Sequence, residues 1–340
     1  MTTTERRLDV RRLVTLRPAD LSAVSWDAMD GDLDGPAELV LATFAGEAVV
    51  LGAFQRARDV PSGGKGEGDG DVAAAPLVRR CSGGAAACVG PGTLYVSLAL
   101  QHPSALVACD PSRIVNRHVR PLLQALTKVG APAAYFDRDW VSVSRRPAAL
   151  IGFAHDVASR RTVVEAFVCV RGALVPASGR ARASFLGKAP GSLEEITGRA
   201  IDVGQLGDAV VAAYAAAYGL TVARRDATAV ASAGGREIAD DPPWQATSAE
   251  AIGAVAAGVD HTGRLRVGGE LMVSRDALAR LEAEVAAVDD EAHESARDAA
   301  LEDAVNALAA PGVALAGVRT LESVLDVIRR ARAARPARTG

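Results

Sequence analysis

Between Asp139 and Val170 the chain reads "DWVSVSRRPAALIGFAHD" and then "RTVVEAFVCV", with only the turn-like "ASR" between the second apolar run and the third. Their β-branched, alternating character suits a pleated, half-buried surface. Connections this tight cannot hold the crossover that a parallel pair needs, so a strand, its neighbour and a third are expected to pair antiparallel. Pro147 breaks the pattern once, as proline does within a sheet. Upstream, "AELVLATFAGEAVVLGAFQ" reads as two short strands around an Ala-Gly-Glu turn, which predicts a hairpin.

Helices are expected on the outer faces. In "PSRIVNRHVRPLLQALTKVG" the apolar residues Ile114, Val115, Val119, Leu122, Leu123 and Leu126 recur at helical spacing, and Gly130 stands where a C-cap belongs. "SLEEITGRAIDVGQLGDAVVAAYAAAYGL" offers a capping box from Ser192 to Glu195 and a long alanine-rich helix closing at Gly219. Together these elements predict an α+β fold, a mostly antiparallel sheet with flanking helices.

At 340 residues there is room for a second, smaller unit. "RDVPSGGKGEGDGDVAAAP" breaks every periodicity, so residues 61–75 are read as a flexible loop within a first domain of residues 1–223. Residues 224–248 read as a linker, with Trp244 pinning it to the body, and 249–340 as a small C-terminal domain. In that domain "GRLRVGGELMVS" predicts a strand pair. "RDALARLEAEVAAVDDEAHESARDAALEDAVNAL" predicts a helix and "TLESVLDVIRRARAA" a terminal amphipathic one.

The 38 basic and 41 acidic residues leave a formal charge of -3, so no overall field favours nucleic acid or an anionic membrane. No apolar run reaches spanning length and no signal segment opens the chain, which predicts a cytoplasmic protein. The four cysteines lack CxxC spacing and the five histidines are scattered, so neither a disulfide framework nor a metal site is expected. Cys81 and Cys88 read as small buried hydrophobes, and Cys169 sits in an apolar strand as an inert thiol would.

One stretch stands apart from the architecture. "RRCSGG", Arg79 to Gly84, sets two guanidiniums beside a serine and bare backbone at the mouth of an apolar run. Glycines there serve a tight turn. They also let peptide N–H groups approach an anion while arginine supplies a planar fork of donors.

Placed in order, three stretches resemble the biotin and lipoate protein ligase family, and more particularly its lipoate-protein ligase branch. "VLGAFQ" resembles that family's strand ending in Gly-x-x-Gln, "RRCSGG" its Arg-Arg-x-Ser-Gly-Gly loop, and "LGKAPGSLEEITGR" its Lys-x-x-x-Ser-Leu segment. The resemblance covers about Leu8 to Leu220. "GRLRVGGELMV" and "LEDAVNALAAPGVALAGV" resemble the accessory domain of the same ligases. The resemblance implies ATP with Mg, and lipoate or octanoate, joined as an acyl-adenylate. The acyl group then passes to a lysine of a lipoyl carrier domain. It also implies a ligand-binding set of Arg79, Arg80, Ser82, Gly83, Gly84, Asp139 and Gly152.

The sequence departs from that pattern at three places. "ALIG" puts Ala149 where the family's Lys-x-x-Gly carries lysine and keeps only Gly152. Arg138-Asp139 replaces Asn-Asp, and "VVEAFV" stands where the family has His-His-Gly. Neither Arg146 nor His155 is a like-for-like replacement for the lysine, and no catalytic residue is assigned. Two readings follow: a ligase with a rearranged site, or a pseudoenzyme that binds an acyl ligand or a carrier-protein partner without catalysis.

Overall fold

The computed structural model describes residues 6–33, 35–60, 75–135, 140–174, 189–225, 238, 241–250, 253–289 and 293–334. The expected loop at 61–75, but for Ala75, and the central part of the 224–248 linker therefore lie outside the described residues, as does Asp139.

The first part of the chain runs β1 (Arg7–Leu16), α1 (Pro18–Asp30), β2 (Ala37–Phe44), β3 (Ala48–Leu51), β4 (Leu77–Arg79), β5 (Ala87–Val89), β6 (Thr93–Leu100), α2 (Ile114–His118), α3 (Arg120–Lys128), β7 (Ala133–Tyr135), β8 (Trp140–Val143), β9 (Arg146–His155), β10 (Thr162–Cys169), α4 (Leu193–Thr197), α5 (Val203–Tyr218) and β11 (Thr221–Arg225). The remainder runs β12 (Ala246–Ala249), β13 (Ala254–Val259), β14 (Leu265–Gly269), β15 (Met272–Val273), α6 (Arg275–Ala287), α7 (Glu294–Asn306), β16 (Leu315–Ala316) and α8 (Leu321–Ala333).

Among the described residues the main sheet has the order β11-β1-β2-β6-β10-β9-β8-β7. Every pair from β2 to β7 is antiparallel, and β1 lies parallel to both β2 and β11. The central strands β6 and β10 are buried along their whole length. Because side chains alternate, Leu94, Val96 and Leu98 of β6 enter one core with Leu122 and Leu126 of α3 and Leu206 and Val210 of α5. Tyr95 and Phe167 enter the core on the opposite face, with Leu21 and Val24 of α1 and Val50 of β3. A small sheet of order β4-β3-β5 lies on that second face.

The hairpin expected from "AELVLATFAGEAVVLGAFQ" does not form. Both edges of β2 are taken, by β1 and β6, so the Ala-Gly-Glu turn carries the chain out of the main sheet and β3 pairs with β4 and β5. The predicted strand pair in "GRLRVGGELMVS" likewise divides, β14 pairing with β13 and β15 with β16. The single helix expected over the "PSRIVNRHVRPLLQALTKVG" stretch breaks at Val119 into α2 and α3. Pro121 has no N–H to offer Arg117 O, which accepts the Tyr218 hydroxyl at 3.0 Å instead. His118 O accepts that of Tyr214 at 2.8 Å.

The C-terminal part builds its own apolar core. Val255 and Val267 of the β12-β13-β14 sheet pack with Leu281 and Val285 of α6, Leu301 and Val305 of α7 and Val327 and Ile328 of α8. The long helix expected between Arg275 and Leu308 is folded back into the α6/α7 pair, which lets both halves bury against each other. No helix among the described residues is long and apolar enough to cross a membrane.

Candidate functional site

The Arg79–Gly84 loop leaves β4 and is stitched down on three sides. Arg80 N donates to Leu51 O at 3.1 Å, and Ala53 N donates to Ser82 O at 2.8 Å, which ties the loop to the end of β3. Gly83 N donates to Phe153 O of β9 at 3.0 Å. Gly84 N donates at 3.1 Å to Leu271 O, between β14 and β15. Gly84 has φ +97°, a conformation that disfavours any side chain. Gly152 is required for a different reason: a Cβ there would stand 2.4 Å from Gly83 O and 2.8 Å from Ser82 Oγ, so the loop can lie on β9 only against bare backbone.

The two arginines point inward. Arg80, 1 % exposed, donates from Nε to Ser82 Oγ at 2.8 Å and from Nη2 to Gly83 O and Ala85 O at 2.9 and 2.8 Å. Its guanidinium also lies 5.4 Å from the Phe167 ring centre, within cation–π range. Arg79 donates from Nη1 to the carbonyls of Gly52, Ala53 and Gln55 at 3.1, 3.2 and 2.5 Å. Six of the seven residues that the resemblance nominates are thus described. They converge on one place, where guanidinium and peptide donors are engaged by acceptors of the protein itself.

Sequence reasoning missed Glu165, in the middle of β10. It is fully buried and pairs with Gly152 of β9 on one side and Ser97 of β6 on the other. Its Oε2 accepts from Ser82 N at 3.3 Å and from Cys81 Sγ at 3.8 Å, and its Oε1 accepts the Tyr95 hydroxyl. Burial raises the Tyr95 phenol and the Cys81 thiol well above their ordinary values, and the Glu165 charge pushes both further up. Both therefore stay protonated and able to donate. A signal was available in "VVEAFVCV", since a carboxylate amid an apolar strand is almost never fully buried unless partnered.

Ala149 is fully buried and packs with Ile151 and Val168 in the core that faces α3 and α5. Alternation puts Gly152 on the other face of β9, toward the loop. His155 is held from both ring nitrogens, by Thr162 Oγ1 at 2.9 Å and Arg161 O at 3.2 Å on Nδ1 and by Gly312 O at 3.2 Å on Nε2. Burial lowers its pKa. Arg146 turns outward to Glu195 and to the carbonyls of Ala189 and Pro190. Burial pushes the Cys169 thiol up to about 12, the state expected of an unreactive cysteine. Among the described residues no group of three His, Cys, Asp or Glu side chains could hold a metal ion.

No family model and no curated protein sequence matches the chain. Solved structures do. P. falciparum LipL1, solved in complex with lipoate, superposes with a TM-score of 0.59 over 95% of this chain and 98% of its own, at 11% identity. A lipoate-protein ligase A bound with ATP covers 67% of this chain and 91% of its own, at 14% identity and a TM-score of 0.48. The bi-partite lipoate protein ligase from Thermoplasma acidophilum, described with its E2 lipoyl domain, covers 66% and 88%, at 16% identity and a TM-score of 0.47. With its large, mostly antiparallel sheet and flanking helices, the chain has the lipoate-protein ligase fold seen in LipL1.

Proposed function

We propose that this chain is a cytoplasmic protein of lipoate-protein ligase fold that binds a lipoyl-type carrier domain without forming an acyl-adenylate. The partner class follows from the resemblance. The non-catalytic part of the reading is supported by the site. Joining a carboxylate to the α-phosphate of ATP gathers negative charge, which needs preorganised donors aimed at it. The observation that carries the reading is that the Arg80–Gly84 loop directs its donors to Ser82 and Gly83 within itself and to Ala85, Phe153, Glu165 and Leu271 outside it. A compact ammonium could supply the missing charge, but position 149 holds a methyl group turned to the opposite face of the sheet. On this reading ATP, Mg and lipoate or octanoate, which the resemblance implies, would find the donors of Arg80 to Gly84 already engaged within the protein.

The test combines chemistry and binding. Purified protein with ATP, Mg and either lipoate or octanoate should release no pyrophosphate above background, while calorimetric titration with a lipoyl domain should give a saturable complex. Losing one such donor typically costs about a hundred- to a thousand-fold in rate. Steady turnover, with a mass increase on the lipoyl-domain lysine, would overturn the non-catalytic reading. Absence of a complex with both the acylated and the unmodified domain would overturn the choice of partner.

A further inference from the structure

The loop has the composition of an anion cradle, yet its cradle holds a side chain of the same protein. We infer that Glu165 is an internal ligand of the Arg80–Gly84 loop, its carboxylate filling the position from which an external carboxylate or phosphate would otherwise be held. The inference rests on the non-catalytic reading and gives it a cause.

Three observations support it. First, both carboxylate oxygens accept: Oε1 from the Tyr95 hydroxyl, Oε2 from the peptide N–H of Ser82 and from the Cys81 thiol. That is how a loop rich in small residues binds an anion, through backbone donors with polar side chains around them. Second, Ser82 joins the two buried charges, accepting from Arg80 Nε on Oγ at 2.8 Å and donating from its N–H to Glu165 at 3.3 Å. A carboxylate and a guanidinium, each at most 1 % exposed, are thereby compensated within one network. Third, Glu165 faces the loop because its register partner Gly152 lets the loop lie close enough to reach it. The residue that fills the cradle and the glycine that permits the approach are cross-strand neighbours.

Removing the side chain tests this by chemical rescue. Glu165→Ala deletes a CH₂–COO⁻ fragment, which acetate replaces almost atom for atom. The variant should lose roughly 5–10 °C in Tm, since an uncompensated buried charge remains. Acetate should restore it along a saturating curve. Chloride at equal ionic strength should not, and the wild type should respond to neither salt. Because the site is closed to solvent, refolding yield from urea with and without acetate gives the same reading if the variant does not stay folded by itself. Glu165→Gln, which fills the space, should show no acetate dependence. Equal effects of acetate and chloride on Glu165→Ala, or an acetate response as large in wild type, would overturn the inference. Pyrophosphate release by wild type would instead overturn the non-catalytic reading and leave the rescue result standing.

Discussion

Two buried histidines show how single side chains set the conditions under which this protein is stable. Burial holds His118 down at about 4, although its ring lies 2.9 Å from Pro103 O, and burial also lowers His155. In the unfolded chain both would titrate near the ordinary value of about 6.5. Between about pH 6.5 and pH 4 the unfolded state therefore binds more protons than the folded one, and stability falls as the pH falls. For His118 alone the loss by pH 4.5 should be roughly 2–3 kcal/mol. Urea midpoints from pH 7.5 to 4.5 should show it, and His118→Gln should flatten the slope. An unchanged slope in that variant would mean that the ring is not the titrating group. None of this is visible in sequence, where the five histidines are merely scattered; the shifts of His118 and His155 come from what covers them.

Elements were more legible, because their signals lie within a few residues of one another. Ser192 caps α4 by accepting from Glu195 N at 3.2 Å, which is one half of the expected capping box, while the Glu195 carboxylate turns to Arg146. The alanine-rich helix α5 ends at Gly219 in the left-handed conformation, φ +61°. Its start is held by Asp202, whose carboxylate accepts from Gln205 N at 2.7 Å. Asp202→Ala should cost about 1 kcal/mol and Asp202→Asn much less. Denaturant titration of the two variants separates the cap bond from any general effect of charge. Pairing was less legible than element type. The β2 and β3 segments look like hairpin partners because nothing local reveals that β1 and β6 already occupy both edges of β2.

At the scale of the whole molecule, the C-terminal part is fastened to the sheet by polar contacts around the loop. Arg275 of α6 reaches Asp156 at 2.8 Å and Asp30 at 2.9 Å. Asp276 accepts from the N–H groups of Val157 and Ala158 at 2.9 Å each. Gly269 N donates to Phe54 O at 2.9 Å, and Gln55 Nε2 to Glu270 Oε1 at 3.3 Å. Trp244 pins the chain ahead of β12, as expected, with the Arg56 guanidinium 3.6 Å above its ring. Arg275→Ala strands two aspartates at this joint and should cost about 1–2 kcal/mol. In calorimetry the unfolding of the C-terminal core should then separate from that of the sheet. A single transition of unchanged width would show that the backbone bonds at Phe54 and Leu271 suffice.

By itself the sequence determined the strands between Trp140 and Cys169, the helices that follow Ser192 and Asp202, the caps at Ser192 and Gly219, and the presence of a glycine-rich, arginine-bearing loop beside an apolar run. Those features depend on hydrogen bonds and periodicities that close within a few residues. What the loop does with its donors was decided only by the tertiary structure. The acceptors at Phe153, Glu165 and Leu271 lie far along the chain and are brought to the loop by sheet register and by the packing of the C-terminal core. A buried donor must find an acceptor, but which acceptor it finds depends on everything folded around it.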